Sequence, residues 1–198
     1  MKLVIASNNQ HKIREIKHIL APFFADIVSM GEMNIHVEVE EDGETFEENA
    51  LKKAREIHAL LPNCAVLADD SGLEVDALNG APGVYSARFA GEGHDDDANN
   101  EKLLRELKDV PCEKRTGRFV CAIALCRVGK ADICVRGICE GLISDNLQGE
   151  NGFGYDPLFI VDKVGKTFGE LSETEKANYS HRADALKKMQ TILNEEKS

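Results

Sequence analysis

Apolar residues recur along this chain with two different periods, and each period predicts one type of element. Short apolar runs at Lys2–Ala6, Ala65–Ala68 and Pro157–Val161 are typical of buried strands. A spacing of three to four residues predicts a helix after the first strand, with its buried face at Ile13, Ile16, Ile19 and Leu20. Strands and helices therefore alternate from the start of the chain, which is typical of an α/β fold.

The most clearly bounded predicted helix begins at a capping box, Thr45-Phe46-Glu47-Glu48, and is stopped by Pro62. Its apolar stripe consists of Phe46, Ala50, Ala54, Ile57 and Leu61. Both ends are therefore marked in the sequence, and the stripe predicts one buried face.

The later part of the chain adds strands that are joined without a helix. Alternation predicts a strand at Leu73–Ala77, and two strands at Phe119–Arg127 and Ile133–Cys139 form a predicted hairpin around Gly129-Lys130. Further helices are predicted near Asn99–Leu107 and over His181–Asn194. Because helix-linked and hairpin-linked strands occur together, the sheet is predicted to be mixed.

Composition narrows the class of protein. With 198 residues, 42% of them hydrophobic, the chain can bury a sizeable core, and no repeat or linker divides it, so one domain over residues 1–198 is predicted. The formal charge of −11 disfavours nonspecific binding to nucleic acid or to an anionic membrane. No apolar run approaches the ~18 residues of a membrane span, and the beginning is too short for a secretory signal, so we expect a cytoplasmic protein.

Six cysteines raise the alternative of a metal site or disulfides. Two pairs share one spacing, but positions five apart in a strand face opposite sides of a sheet and cannot share a tetrahedral ion. We therefore interpret all six as small hydrophobic residues in a reducing compartment. They are Cys64, Cys112, Cys121, Cys126, Cys134 and Cys139.

The segment Ala68-Asp69-Asp70-Ser71-Gly72-Leu73 places two acids directly after a predicted buried strand. If the strand ends there in a turn containing glycine, its side chains point into the crevice where open α/β sheets bind ligands. Carboxylate oxygens at such a place suit Mg²⁺. The alternative is a turn in which Asp70 bonds only its own backbone.

A polar loop, Ser7-Asn8-Asn9-Gln10-His11-Lys12, connects the first strand to its helix. A helix N-terminus attracts phosphate, and a hydroxyl, an amide and a mobile ammonium group lie in this loop. It is not a Walker loop, because the glycines are absent. Alternatively, Asn9 is only a helix cap and Lys12 is a solvated charge.

Three other segments carry candidate chemistry, and each also has a purely structural interpretation. The acidic turn Val39–Glu44 holds a metal ligand or is solvated surface. The segment Gly152-Phe153-Gly154-Tyr155-Asp156-Pro157 suits a loop around a flat ring, or a packed turn before a strand. Ser180-His181-Arg182 begins the last helix, with Ser180 as a predicted cap, where a polar ligand can be reached.

Taken together, these motifs closely resemble the inosine/xanthosine triphosphate pyrophosphatase family over nearly the whole chain. The matching motifs are Ser7-x-Asn9-x-x-Lys12, Thr45-Phe46-x-Glu48-Asn49-Ala50, Ala68–Leu73, Gly80–Arg88, Gly152–Pro157, and Lys176 with Ser180-His181-Arg182. The resemblance implies an elongated mixed sheet flanked by helices, with two lobes enclosing a nucleotide-binding cleft, in a homodimer. It also implies hydrolysis of non-standard purine nucleoside triphosphates (ITP, dITP and XTP) to the monophosphate and pyrophosphate.

The resemblance also implies site residues. The nucleotide's phosphates would contact Ser7-Asn8-Asn9-Gln10-His11-Lys12, Mg²⁺ would bind Glu41 and Asp70, and Ser71 would contact substrate. Asp70 would also be the proton acceptor, whereas Asp69 would shape the turn or act indirectly. The choice of Glu41 over the neighbouring acids Glu40 and Glu44 comes from the resemblance alone.

For the nucleoside, the resemblance implies that Phe153-Gly154-Tyr155-Asp156 and Lys176 line the base and sugar region. His181 and Arg182 would hold the purine edge. Two positions depart from the family pattern: Ser7 stands where many relatives have Thr, and Asn151 stands where a Gly commonly precedes the aromatic loop. Ser7 keeps the hydroxyl, and Asn151 removes no implied ligand.

These residues would support metal-assisted attack of water at the α-phosphorus without a covalent intermediate. Two other functions use similar residues. A nucleotide sensor would bind without turnover, and the presence of Glu41 together with Asp70 argues against it. A general phosphatase would release inorganic phosphate instead of pyrophosphate.

Overall fold

The computed structural model describes residues 2–197, and its central element is a seven-stranded sheet. The strands are β1 (Lys2–Ile5), β2 (Asp26–Ser29), β3 (Ala65–Val75), β4 (Thr116–Cys126), β5 (Ile133–Ile143), β6 (Phe159–Val161) and β7 (Lys166–Thr167). Their order in the sheet is β2-β1-β3-β4-β5-β6-β7. β1 is parallel to β2 and β3, whereas β6 is antiparallel to β5 and β7. The predicted mixed sheet is confirmed.

Five α-helices accompany the sheet within the described part of the chain. They are α1 (Gln10–Leu20), α2 (Phe46–Leu60), α3 (Asp96–Glu106), α4 (Glu173–Tyr179) and α5 (His181–Glu195). The capping box of α2 is confirmed, because the Thr45 side chain accepts from the Glu48 amide and Glu48 reaches back to Thr45. The α/β class is therefore confirmed, and α2 begins at its predicted cap.

By compactness, the chain divides into two units. The first comprises the chain up to Asp70, residues 121–137, and the segment from Arg182 onward; the second comprises Ser71–Val120 and Ile138–His181. These units match the two lobes that the resemblance implies. The assignment of one functional domain to residues 1–198 stays a prediction.

Each unit has its own core. In the first, alternate residues of β1, β3 and β4 meet apolar residues of α1 and α5, among them Leu3, Ile5, Ile13, Ile16, Leu67, Ile123, Leu186 and Met189. The second contains a group of aromatic rings, and Phe119 lies 4.7 Å from Phe159 and 5.8 Å from Phe168 between ring centroids. The sheet positions that follow the apolar alternation are therefore the ones that build the cores.

One predicted turn is wrong. Asp69-Asp70-Ser71-Gly72 does not end a strand, because β3 runs without interruption from Ala65 to Val75. Serine and glycine were interpreted as turn residues, but they continue the strand, and Gly72 is buried within it. Asp69 and Asp70 therefore point to opposite faces of the sheet, as successive strand residues must.

Other elements also differ from the prediction. β2, β7 and α4 are absent from it because they are short, and β6 begins at Phe159 instead of Pro157. All six cysteines are free thiols; Cys121, Cys126 and Cys139 are buried as expected, but Cys112 is exposed. Within residues 2–197, no helix has the length and apolarity needed to span a bilayer.

Candidate active site

The parallel pairing of β1 with β3 brings the polar loop of the first unit to the two acids. Ile5 lies opposite Leu67, and the Ala6 amide donates to the Leu67 carbonyl at 2.8 Å. Beyond this point β3 continues to Asp69 and Asp70, while the segment that follows β1 leads into α1. The N-terminus of α1 therefore lies at the level of the two carboxylates.

Asn9 caps α1. Its side-chain oxygen accepts from the amides of His11 at 3.0 Å and Lys12 at 3.2 Å, and the Asn9 amide donates to the Ser7 hydroxyl at 3.2 Å. The interpretation of Asn9 as a cap is confirmed. The interpretation of Lys12 as a solvated charge is wrong, because its ammonium group lies 3.0 Å from Oδ2 of Asp69.

Asp69 is the centre of a buried group of opposite charges. Its Oδ2 accepts from Lys12 and from Nε and Nη2 of Arg182, at 3.3 and 3.2 Å for the guanidinium. Burial alone would raise the pKa of Asp69, but the charges of Lys12 and Arg182 hold it well below its usual range. Asp69 is therefore a permanent anion, and it fixes the position of both cations.

Arg182 occupies a different environment from the one expected at a purine edge. Its side chain is 2% exposed and donates to Glu15 at 3.0 Å as well as to Asp69. These carboxylates raise the pKa of Arg182 against the opposing effect of burial. Arg182 therefore neutralises Asp69 inside the first unit, and its contact with a purine base stays a prediction.

Asp70 has the opposite electrostatic balance. Burial first, and then the negative charge of Glu41, raise the pKa of Asp70 to about 6. Asn49 limits this rise, because its Nδ2 donates to Oδ2 of Asp70 at 3.0 Å. A carboxylate whose pKa lies near neutrality, oriented by one amide, suits a general base.

Glu41 lies close to Asp70, and Lys53 interacts with Glu41 and with both acids of β3. The Lys53 ammonium pairs with the Glu41 carboxylate and donates to the Asp69 carbonyl at 3.3 Å. Although burial disfavours its charge, Glu41 and Asp69 raise the pKa of Lys53. Glu40, by contrast, is among the charges that raise the pKa of Lys52, and the choice between these acids as a metal ligand stays a prediction.

Asn49 and Lys53 were not predicted as site residues, although the sequence contains a signal for the first. Asn49 lies on the buried face of α2 beside Phe46 and Ala50, where a polar residue needs a partner. It also accepts from the Gly43 amide at 2.8 Å and so ties the acidic turn to β3. Lys53 follows one turn later on α2, but its partners are distant in sequence and could not be identified from it.

The second unit holds the aromatic loop, Gly152–Asp156, in a defined conformation. Oδ2 of Asp156 accepts from the Phe153 amide at 2.9 Å and from the Lys176 ammonium at 2.5 Å. A Cβ atom at Gly152, whose φ is +81°, would overlap with the same carboxylate. Lys176 also lies 5.1 Å from the centroid of the Phe153 ring, which is 36% exposed. A half-exposed ring beside a fixed cation can stack with a planar ligand.

Two further predicted residues belong to the second unit. Ser71 lies in β3 and is half-buried, directly after Asp70 in the chain. His181 begins α5 and is buried, with its ring stacked on Phe119 at 4.8 Å between centroids. The predicted residues therefore fall into two groups: Ser7–Lys12, Glu41, Asp70 and Arg182 in the first unit, and Ser71, Phe153–Asp156, Lys176 and His181 in the second.

The donor set of the first unit fits a hard divalent cation. Two carboxylates, Glu41 and Asp70, lie near enough for the charge of Glu41 to raise the pKa of Asp70, although Lys53 pairs with Glu41 and opposes that effect. Among residues 2–197 no group of three or more His, Cys, Asp or Glu side chains could hold a metal by themselves. Mg²⁺ commonly binds one or two carboxylates and completes its shell with phosphate oxygens and water, so Glu41 and Asp70 are the residues that would hold it.

Comparisons with known proteins place the chain in one family. A sequence model described as Ham1 family matches residues 3–192. A dITP/XTP pyrophosphatase of Clostridium perfringens is 51% identical over 97% of both chains, and one of Bacillus subtilis is 51% identical over 96% of both. The solved Ham1 protein of Staphylococcus aureus superposes with a TM-score of 0.90 at 45% identity, covering 99% of this chain and 100% of its own.

The electrostatics of β3 predict that Asp70→Asn stabilises the metal-free protein. An ionised Asp70 is disfavoured in the fold, so its cost appears as pH rises from about 4 through about 6 and then stays constant. We expect Asp70→Asn to gain up to about 3 kcal/mol at pH 8 in a chelator, and almost nothing at pH 4. Chemical unfolding at both pH values measures this difference.

Asp69→Asn is the matched control, because it removes the neighbouring carboxylate and leaves Lys12 and Arg182 without it. We expect a loss of about 3–5 kcal/mol, the cost typical of breaking a buried pair. If Asp70→Asn is no more stable than the wild type at pH 8, the raised pKa of Asp70 is contradicted.

Proposed function

The chain belongs to the Ham1 family, and on that premise we propose that it hydrolyses dITP and XTP, together with ITP, to the monophosphate and pyrophosphate. The observation that carries the proposal is Asp70, a buried carboxyl with a raised pKa that Asn49 orients. Relatives that share about half of their residues over nearly the full chain are named dITP/XTP pyrophosphatases. The enzyme would be a hydrolase acting on acid anhydrides.

The triphosphate binds at the N-terminus of α1 in this proposal. The N-terminal end of the α1 dipole and the Lys12 ammonium provide positive charge in a protein whose net charge is −11. Asp69 holds that ammonium at the end of β1 while 17% of the Lys12 side chain stays exposed. The Lys12 side chain is therefore in position before a phosphate binds, so less conformational entropy is lost on binding.

Glu41 and Asp70 would hold Mg²⁺, which when bound neutralises charge on the phosphate oxygens. The chain contributes the other electrostatic parts itself. Lys53 pairs with Glu41 and is a counterion for Glu41 and Asp70. Lys53 also contacts the Asp69 carbonyl, so the backbone of β3 next to Asp70 is held in place.

Asp70 accepts the proton of the water that attacks the α-phosphorus. In the metal-free protein its pKa of about 6 leaves it ionised at neutral pH, and binding Mg²⁺ would favour the ionised form further. Asn49 donates to one carboxylate oxygen and so fixes the direction of the other. The role of Asp69 differs, because Lys12 and Arg182 neutralise its charge and hold its pKa low.

Base selection rests on donors that suit a carbonyl oxygen at position 6 of the purine. His181 can present one donor and Arg182 has only donors, so adenine's amino group would meet another donor there. In this role Arg182 keeps its ion pairs with Asp69 and Glu15. Phe153 would stack on the base, with Ser71, Tyr155, Asp156 and Lys176 completing the nucleoside contacts.

Two further properties implied by the resemblance belong to this proposal. The active enzyme would be a homodimer, and it would act in the cytoplasm, where nucleoside triphosphates are used. The net charge of −11 is compatible with a small anionic substrate, because a few local cations are sufficient to bind it.

The proposal predicts the products and the base preference. With Mg²⁺, dITP and XTP should yield pyrophosphate and monophosphate, with specificity constants at least ~10²-fold above that of dATP, since rejected adenine leaves buried donors unpaired. A chelator should abolish turnover. Quantifying pyrophosphate and inorganic phosphate distinguishes the alternatives: inorganic phosphate as the first product indicates a general phosphatase, and binding without turnover indicates a sensor. Equal rates on dATP and dITP would contradict the base preference.

The phosphate site is tested by Lys12→Ala. Losing an ammonium group beside the triphosphate should lower the specificity constant for dITP by at least about tenfold. Lys12→Arg should restore only part of it, because a guanidinium fork differs in shape from an ammonium point charge. Lys17→Ala is the control, since Lys17 lies on the same helix but pairs with Glu32 at the surface. A specificity constant within about twofold of wild type for Lys12→Ala excludes this phosphate site.

A further inference from the structure

Helix α3 holds the aromatic loop from outside, through one residue of the loop. Oδ2 of Asp96 accepts from the Gly154 amide at 2.7 Å, and Nδ2 of Asn100 donates to the Gly154 carbonyl at 2.9 Å. Asp96 and Asn100 are one helical turn apart, so both side chains lie on the same face of α3. The two main-chain polar groups of Gly154 are therefore bound by a single rigid element.

Gly154 is the position at which this loop needs to be held. Its φ is +61°, in the left-handed region, and it lies between Phe153 and Tyr155. A glycine populates several backbone conformations at similar free energy, so bonds inside the loop alone leave this residue able to rotate. Rotation there would change the direction of the Phe153 ring, whereas Tyr155 is buried and bonded to the Ser86 carbonyl.

The bonds of these two α3 side chains to Gly154 go beyond the needs of the helix, although Asp96 also lies in the first turn, where an acid is favourable. The N-cap of α3 is Asp95, whose side chain accepts from the Ala98 amide at 3.1 Å, so Asp96 is not required as the cap. Asn100 is 4% exposed, and asparagine is a poor helix former that is costly to bury without a partner. A carboxylate and a buried amide with complementary bonds to one glycine indicate a specific function for this pair.

We propose that Asp96 and Asn100 are positioning residues for base recognition, which act by fixing Gly154 and thereby the stacking surface of Phe153. This inference rests on the proposed function and adds residues to it that do not touch the substrate. Because the loop is already ordered, a purine binds without the cost of ordering it. The pair should consequently affect nucleotide affinity more than the chemical step.

The test is steady-state kinetics with dITP and saturating Mg²⁺. Asp96→Ala and Asn100→Ala should each raise KM about fivefold or more while kcat changes less than about twofold, the signature of lost uniform binding. Asp96→Asn keeps an acceptor oxygen for the Gly154 amide and should restore KM to within about twofold of wild type. Asn100→Asp places a carboxylate against the Gly154 carbonyl and should be at least as harmful as Asn100→Ala.

Two controls separate positioning from general loss of structure. Asn99 is equally buried on α3, but it bonds the Ala87 carbonyl and the Ala90 amide, so Asn99→Ala should lower thermal stability without the same rise in KM. Asp97→Ala changes an exposed acid of the same turn and should have no effect. Inhibition by pyrophosphate, which lacks a base, should be unchanged in Asp96→Ala and Asn100→Ala.

The outcomes are distinguishable. If the wild-type protein releases no pyrophosphate from dITP or XTP, the proposed function fails and this inference fails with it. If the wild type is active but KM is unchanged in Asp96→Ala and Asn100→Ala, only the inference is overturned. It is also overturned if Asn99→Ala raises KM as much as Asn100→Ala, or if pyrophosphate inhibition weakens in parallel with KM.

Discussion

Strand β3 carries two adjacent carboxylates into the interior, and burying charge is costly unless it is compensated. Because successive strand residues face opposite sides, the carboxylates of Asp69 and Asp70 bond different side chains, although Lys12 and Lys53 lower the pKa of both. Three helices supply them: α1 and α5 bring Lys12 and Arg182 to Asp69, and α2 brings an amide to Asp70. The arrangement of the first unit around β3 follows from this requirement.

Because their charges are compensated to different degrees, Asp69 and Asp70 have different roles. Asp69 receives two cations and stays ionised, so it can anchor Lys12 beside a phosphate. Burial and the charge of Glu41 act on Asp70 more strongly than the Asn49 amide and the charges of Lys12 and Lys53, so its pKa rises to about 6. A group that the fold stabilises poorly is available to bind a proton or a cation, and active sites commonly retain such groups at a cost in stability.

The sequence predicts the parts of this structure that depend on local patterns. Apolar spacing identified α1 and α2, and the Thr45 capping box placed the beginning of α2 correctly, because caps and stripes are properties of neighbouring residues. The turn at Ser71-Gly72 was wrong, since only pairing with other strands shows that β3 continues there. Lys53 and the ion pairs of Asp69 were not predictable, because their partners lie far apart in the chain and meet only after folding.

The central claim is that Asp70 performs the proton transfer and Asp69 does not. The most direct measurement is kcat for pyrophosphate release from dITP by Asp70→Asn at saturating Mg²⁺, with the native fold verified by circular dichroism. The account predicts a decrease of at least ~10²-fold, because an amide of the same shape can neither accept the proton nor carry the charge. A variant that retains more than about a tenth of the wild-type kcat would contradict it.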